Sequence, residues 1–209
     1  ALERAKEQGI GHYFVPRYTR VVDTAESKDN INKAYNLIST SKVRNEMIID
    51  DVITCVARKQ TPVILTRFKE HAKFLHDALK EKADHVFLLY GDNSDKENAE
   101  IRVKLKQIPE NESLILVATG QKIGEGFDFP RLDVLMLAAP VSFEGRLEQY
   151  VGRLNRDYVG KEAVYVYDYI DSHVRYFDKM YAKRLRTYRK MGFSIWTQEL
   201  QPKQIINAI

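Results

Sequence analysis

The sequence predicts an α/β fold, a parallel sheet covered by helices on both faces. From Pro62 onward, apolar runs of strand length alternate with amphipathic stretches of helix length, the pattern of buried parallel strands joined by crossover helices. With 209 residues and 44% hydrophobic content, the chain can bury a core of ordinary domain size. Polar residues gather just past the carboxyl ends of the apolar runs, where open parallel sheets take their ligands. Those ends carry Thr66-Arg67, Tyr90-Gly91-Asp92, Thr119-Gly120 and Pro140-Val141-Ser142.

Taken in order, residues 1–9 read as the end of a helix stopped by Gly9 and Gly11. His12–Val22 reads as extended, an approach strand or linker, because aromatic and β-branched residues surround Pro16. Asp23–Asn30 is turn-like, and Ile31–Ile38 is a short helix ending near Ser39-Thr40-Ser41. Lys42–Lys59 is a longer helix with Val43, Met47, Ile48, Val52, Cys55 and Val56 on one side. That helical period runs through Met47-Ile48-Ile49-Asp50-Asp51 and argues against a metal-binding strand there. The alternation then gives strand Val63–Thr66, helix Glu70–Lys82, strand His85–Leu89, helix Lys96–Gln107 and strand Leu114–Ala118. A Gly-rich loop follows, then strand Asp133–Ala139, helix Glu144–Asn155 and strand Ala163–Tyr169. Ser172–Gly192 is a last helix whose stripe of Val174, Phe177, Tyr181, Leu185, Tyr188 and Met191 reads as packing. Three parts result: residues 1–61 as connecting segment and helices, 62–172 as the sheet lobe, and 173–209 as a basic helical extension.

Charge is uneven. The net +4 conceals a stretch, His173–Lys190, with seven Lys/Arg against the single acid Asp178. Such a concentration attracts polyanions. No run of about 18 apolar residues exists and the start lacks the apolar core of a secretory signal, so neither membrane insertion nor export is expected. One cysteine, Cys55, permits no internal disulfide and fits a reducing, intracellular (cytoplasmic or nucleoid-associated) setting. The first residue is Ala1 rather than Met, which suggests a piece of something longer or a processed chain. His71, His76 and His85 show no metal-ligand spacing with Cys55 and read as surface or packing residues; no metal site is expected. Tyr165, Tyr167 and Tyr169 alternate along a strand and put aromatic rings on one sheet face.

The most informative stretch is Leu114–Arg156. Gln149, Gly152, Arg153 and Arg156 are spaced to share one side of a helix, with Leu147, Tyr150, Val151 and Leu154 on the apolar side. A glycine inside a helix costs roughly 1 kcal/mol against alanine, so Gly152 suggests a close approach to that face. Always-charged guanidiniums there suit a phosphate.

Ala118-Thr119-Gly120 followed by Gly124-Glu125-Gly126-Phe127-Asp128-Phe129-Pro130 resembles motif V of superfamily 2 helicases. Gln149-Tyr150-Val151-Gly152-Arg153-Leu154-Asn155-Arg156 resembles their motif VI. The two occur in family order, one strand apart. The resemblance implies a RecA-like, P-loop NTPase-type sheet, here the second lobe of an ATP-dependent helicase or translocase. It implies that Arg153 and Arg156 act catalytically as arginine fingers on ATP bound by a first, N-terminal RecA-like lobe. Gly126, Asp128 and Gln149 would serve the nucleotide. Thr119, with Arg67 and Gly91 at the positions of looser motifs, would touch nucleic acid, DNA being favoured over RNA. ATP and Mg²⁺ belong to the full-length enzyme. This chain has no Gly-Lys-Ser/Thr phosphate loop, since Gly160-Lys161 is followed by Glu162, so it is not expected to hydrolyse ATP alone.

Plainer readings stay open beside these. The arginines can decorate a solvated helix, the glycines can serve a turn before Pro130, and Arg67 can equally make a structural ion pair. For the whole chain the alternatives are a non-catalytic nucleic-acid-binding module and an unrelated nucleotide-binding α/β enzyme.

Overall fold

Alternation along the strands decides the architecture. On the strand Leu114–Thr119, Leu114, Leu116 and Ala118 enter one core while Ile115 and Val117 enter another. Since successive side chains point to opposite faces, a strand apolar at every position must be covered on both sides. The computed structural model describes residues 9–124, 127–141 and 144–196. Its strands are β1 (Gly11–Tyr18), β2 (Pro62–Thr66), β3 (His85–Leu89), β4 (Leu114–Thr119), β5 (Val134–Leu137), β6 (Ala163–Ile170) and β7 (Ser194–Ile195). Its helices are α1 (Ile31–Ser39), α2 (Lys42–Ala57), α3 (Lys69–Leu79), α4 (Asp95–Gln107), α5 (Gly120–Gly124), α6 (Glu144–Leu154) and α7 (Arg175–Lys190). The strands form one sheet in the order β3-β4-β2-β5-β6-β1-β7, and every pairing is parallel.

Helices α2 and α3 cover one face through Ile48, Val52, Cys55, Ala72, Leu75 and Leu79. The other face is covered by α4 to α7, through Leu105, Ile123, Leu147, Tyr150, Val151, Leu154 and Tyr188. Local chemistry sets the helix starts. Asn30 and Ser41 accept from first-turn amides of α1 and α2, and Ser94 with Glu97 forms a capping box on α4.

Several sequence expectations change. The extended segment after His12 is a sheet strand: β1 pairs with β6 from Gly11↔Ala163 to Tyr18↔Ile170 and carries β7 on its other side. The sheet therefore runs across both boundaries drawn at residues 61/62 and 172/173. The helix that carries Gln149 and Arg153 ends at Leu154, so Arg156 lies beyond it rather than on its face. The Gly-rich loop opens with the short helix α5. Val43, expected on the apolar side of α2, is exposed. Arg184, counted among the basic residues of the last helix, is buried. Residues 1–8, Glu125, Gly126, Ser142, Phe143 and the stretch beyond Trp196 lie outside the described residues.

Two buried arginines lock the carboxyl end of the sheet. Arg44 of α2 donates from Nε and Nη2 to Asp171 at 3.0 and 3.1 Å, and from Nη1 to the Ala138 carbonyl at 2.6 Å. Arg184 of α7 donates from Nε and Nη2 to Asp168 at 2.8 Å each, and from Nη1 to the Val141 carbonyl at 3.0 Å. Tyr188 adds a 2.7 Å bond to Asp168. Buried charge is tolerable only when paired and hydrogen-bonded in this way, and removing one partner costs about 3–5 kcal/mol.

Candidate functional site

The strand ends open into a cleft of about 690 Å³. Its floor is Leu65, Thr66 and Thr119, which lie side by side because β2 and β4 pair in register there. One wall is α1, through Ile31 and Tyr35; the opposite wall is α6, through Arg146, Gln149 and Tyr150. Gly91, Arg67 and Lys69 stand at the strand ends, and Met180 comes in from α7. Four of the residues singled out in the sequence, Thr119, Arg67, Gly91 and Gln149, thus share one cleft.

Each is held for a local reason. Thr119 ends β4 and is 8% exposed. The Arg67 guanidinium lies 4.4 Å from the centre of the Tyr35 ring, a cation–π arrangement, and Tyr35 is itself fixed by a 3.0 Å bond from its hydroxyl to the Pro140 carbonyl. Burial pushes the Tyr35 and Tyr150 hydroxyls up, so both remain protonated donors. Lys69 reaches Asp92 at 2.6 Å across the mouth. Gly120 is required by a close approach, since a Cβ there would fall 2.5 Å from the Tyr150 hydroxyl. Gly152 differs: among the described residues, nothing beyond its own stretch of helix comes within 4 Å of where its Cβ would be, so the close approach expected at that face has no partner there.

Arg153, Arg156 and Asp128 do not line this cleft. Arg153 is half-buried on α6. Arg156 follows the helix and pairs with Asp128 at 3.4 Å, both side chains being about half exposed at 51% and 55%. An exposed pair of that kind contributes little stability and exchanges partners readily. Asp128 points outward because Phe127 and Phe129 on either side are buried. Gly126, the remaining candidate, lies outside the described residues.

Lys161 ties the turn at Pro130 to the end of α6. Its ammonium donates to the carbonyls of Pro130, Leu154 and Arg156 at 2.5, 2.8 and 3.0 Å. Burial pulls it down to about 8 against the opposing pull of Asp133 and Asp157. His12 of β1 supports the same turn, with Nε2 2.8 Å from Asn155 Oδ1.

Sequence reasoning missed Lys161, Tyr35, Lys69 and Arg146. For Arg146 a signal existed, because Arg146, Gln149 and Arg153 form an i, i+3, i+7 row. Nothing local marks Tyr35, which reaches the cleft only through the tertiary placement of α1.

Among the described residues, no group of three or more His, Cys, Asp and Glu is arranged to hold a metal ion, and no helix is long and apolar enough to cross a membrane.

Comparison with solved structures finds T4 UvsW at a TM-score of 0.69 and 20% identity, over 90% of this chain and 41% of that one. The C-terminal domain of the DEAD-box protein Dbp5 matches at 0.54 and 12% identity, over 96% of each chain. The fold is the RecA-like one of these helicase C-terminal domains. Viral proteins are among the sequence relatives of this chain. "Transcript termination protein A18" of Yaba-like disease virus is 28% identical over 172 residues, 77% of this chain and 35% of that protein. "Putative helicase 161L" of Invertebrate iridescent virus 6 is 33% identical over 118 residues, 56% of this chain and 22% of that protein. The chain therefore spans about a third or less of the length of these relatives. No protein-family profile matches it.

Proposed function

We propose that this chain is the second motor lobe of an ATP-dependent nucleic-acid helicase or translocase, with DNA the favoured track. The observation that carries the reading is the cleft at the strand ends, where Thr119, Arg67 and Gly91 meet the added cations Arg146 and Lys69. A hydroxyl on a strand end among fixed cations suits a phosphate backbone, a contact that positions a strand without reading its sequence. The names of the viral relatives, a putative helicase and a transcript termination protein, support the same reading.

In this reading Arg153 and Arg156 serve ATP held mainly by a first lobe. Their guanidiniums stabilise charge developing on the transferring phosphoryl group, an effect worth about 10³–10⁵ in rate. The donor set suits that role: among the described residues, Arg156 pairs with the exposed carboxylate of Asp128, a contact that phosphate can displace. Gln149 and the Gly126–Asp128 turn complete the nucleotide side. Mg²⁺ would be held by the other lobe.

The test is ATP turnover, with and without nucleic acid, in the protein carrying both lobes. Arg153→Ala and Arg156→Ala should each cut turnover at least a hundredfold while circular dichroism stays unchanged. Lysine should rescue poorly, lacking the planar fork. Thr119→Ala should lose stimulation by nucleic acid and keep most basal turnover. Normal hydrolysis in the arginine variants, with nucleic-acid binding retained, would overturn the finger assignment and leave this lobe a nucleic-acid-binding one without a part in the chemistry.

A further inference from the structure

We propose that the exposed face of α7 is a second nucleic-acid-binding surface, which takes the phosphate backbone of a strand as it leaves the cleft. The inference rests on the motor-lobe reading and extends its track. Arg175, Lys179, Lys183, Arg186 and Lys190 recur every three or four residues, and all five are exposed. At about 100° and 1.5 Å per residue they occupy a stripe roughly 80° wide and about 22 Å long. The helix's one acid, Asp178, lies outside the stripe, about 60° from its edge at Arg175. Arg184 is excluded, being buried on Asp168.

The position of the stripe matters as much as its charge. Met180 lines the cleft and lies, around the helix, between the buried face of Phe177 and Arg184 and the edge of the stripe at Lys183. Cleft wall and basic stripe are therefore adjoining sides of one helix. Glu148 of α6 faces the far end, 3.7 Å from Lys190, with side chains 41% and 69% exposed. Such a pair is weak in water and gives way to phosphate.

A row of cations separated by about 4.5–6 Å along the axis fits a polymer of phosphates better than a single anion. A membrane surface fits worse, because interfacial helices need a free apolar face and that of α7 is spent on the core through Phe177 and Tyr188.

The experiment measures fluorescence anisotropy of labelled single strands of about 8 and about 25 nucleotides against salt, using the protein that carries both lobes. In the triple variant Lys179→Glu, Lys183→Glu, Arg186→Glu, affinity for the longer strand should fall at least tenfold. Its salt slope should fall by about 2, at about 0.7 per phosphate contact. The short strand should bind as before, and Lys104→Glu with Lys106→Glu on α4 should change neither. An unchanged long-strand slope in the triple variant, with Thr119→Ala weakening both strands, overturns the stripe and leaves the cleft standing. Equal losses from the α4 variant overturn it too, as a mere effect of net charge. Failure of the unaltered protein to bind either strand overturns both readings. Loss confined to anionic lipid vesicles or to an acidic protein would reassign the surface.

Discussion

A neutral imidazole is built into the joint between β2, α2 and α3. His71 lies 2.5 Å from Thr66 Oγ1 through Nδ1 and 2.8 Å from Asn45 Oδ1 through Nε2. Asn45 spends its amide hydrogen on the Ser39 carbonyl, so its oxygen must accept from Nε2–H, and Nδ1 then accepts from the Thr66 hydroxyl. Burial, with the positive charge of Arg44 nearby, lowers His71 to about 3. An unfolded chain takes this proton near pH 6.5, whereas the folded one refuses it until about 3. The contribution to stability is therefore whole above 6.5 and lost as pH falls, by up to about 1.4 kcal/mol per unit. Urea unfolding between pH 4 and 7 should show that loss, and His71→Leu should flatten it while costing about 1–3 kcal/mol at neutral pH through its stranded partners. At this scale the sequence was partly legible. It allowed His71 as a packing residue, but neither its protonation nor the burial of Arg184 has a local sign, because each depends on a partner brought by the tertiary fold.

Helices α5 and α6 meet through one small residue and one large one. Gly120 leaves room for the Tyr150 ring, whose hydroxyl occupies the place of a side chain. Gly120→Ala should cost about 1–3 kcal/mol by overpacking. Tyr150→Phe should recover most of it, since the next ring atom, Cζ, lies at a tolerable 3.4 Å. A double-mutant cycle by thermal unfolding checks this, and simple additivity would contradict it. The elements themselves were well marked in the sequence, as alternating apolar runs and amphipathic stretches carry their own period. Their ends were not. Helical spacing put Arg156 on the face of α6, but the chain leaves the helix at Asn155, whose side chain turns to His12, over 140 residues earlier. Periodicity cannot register such a partner.

For the whole molecule, the unforeseen feature is the place of β1, inserted between β6 and β7. Its neighbour β6 begins about 150 residues later, and pairing over that separation leaves no trace in a local pattern. Residues 62–172 alone would expose the edge of β6 and, without Arg44 and Arg184, leave Asp171 and Asp168 without their arginine partners. That piece should lack a cooperative thermal transition, whereas residues 9–196 should show one by circular dichroism. The place of the cleft, by contrast, could be read early, because a parallel sheet tells where an opening forms and Thr119, Arg67, Gly91 and Gln149 all line it. The Arg184–Asp168 pair has one more consequence, a mechanical one. It bolts α7 to β6 at the very turn of helix that separates the cleft from the basic stripe, and its third arm grips Val141 at the cleft's own rim. Tension on a strand held along α7, as proposed above, would pass through this linkage directly into β6 and the rim of the cleft.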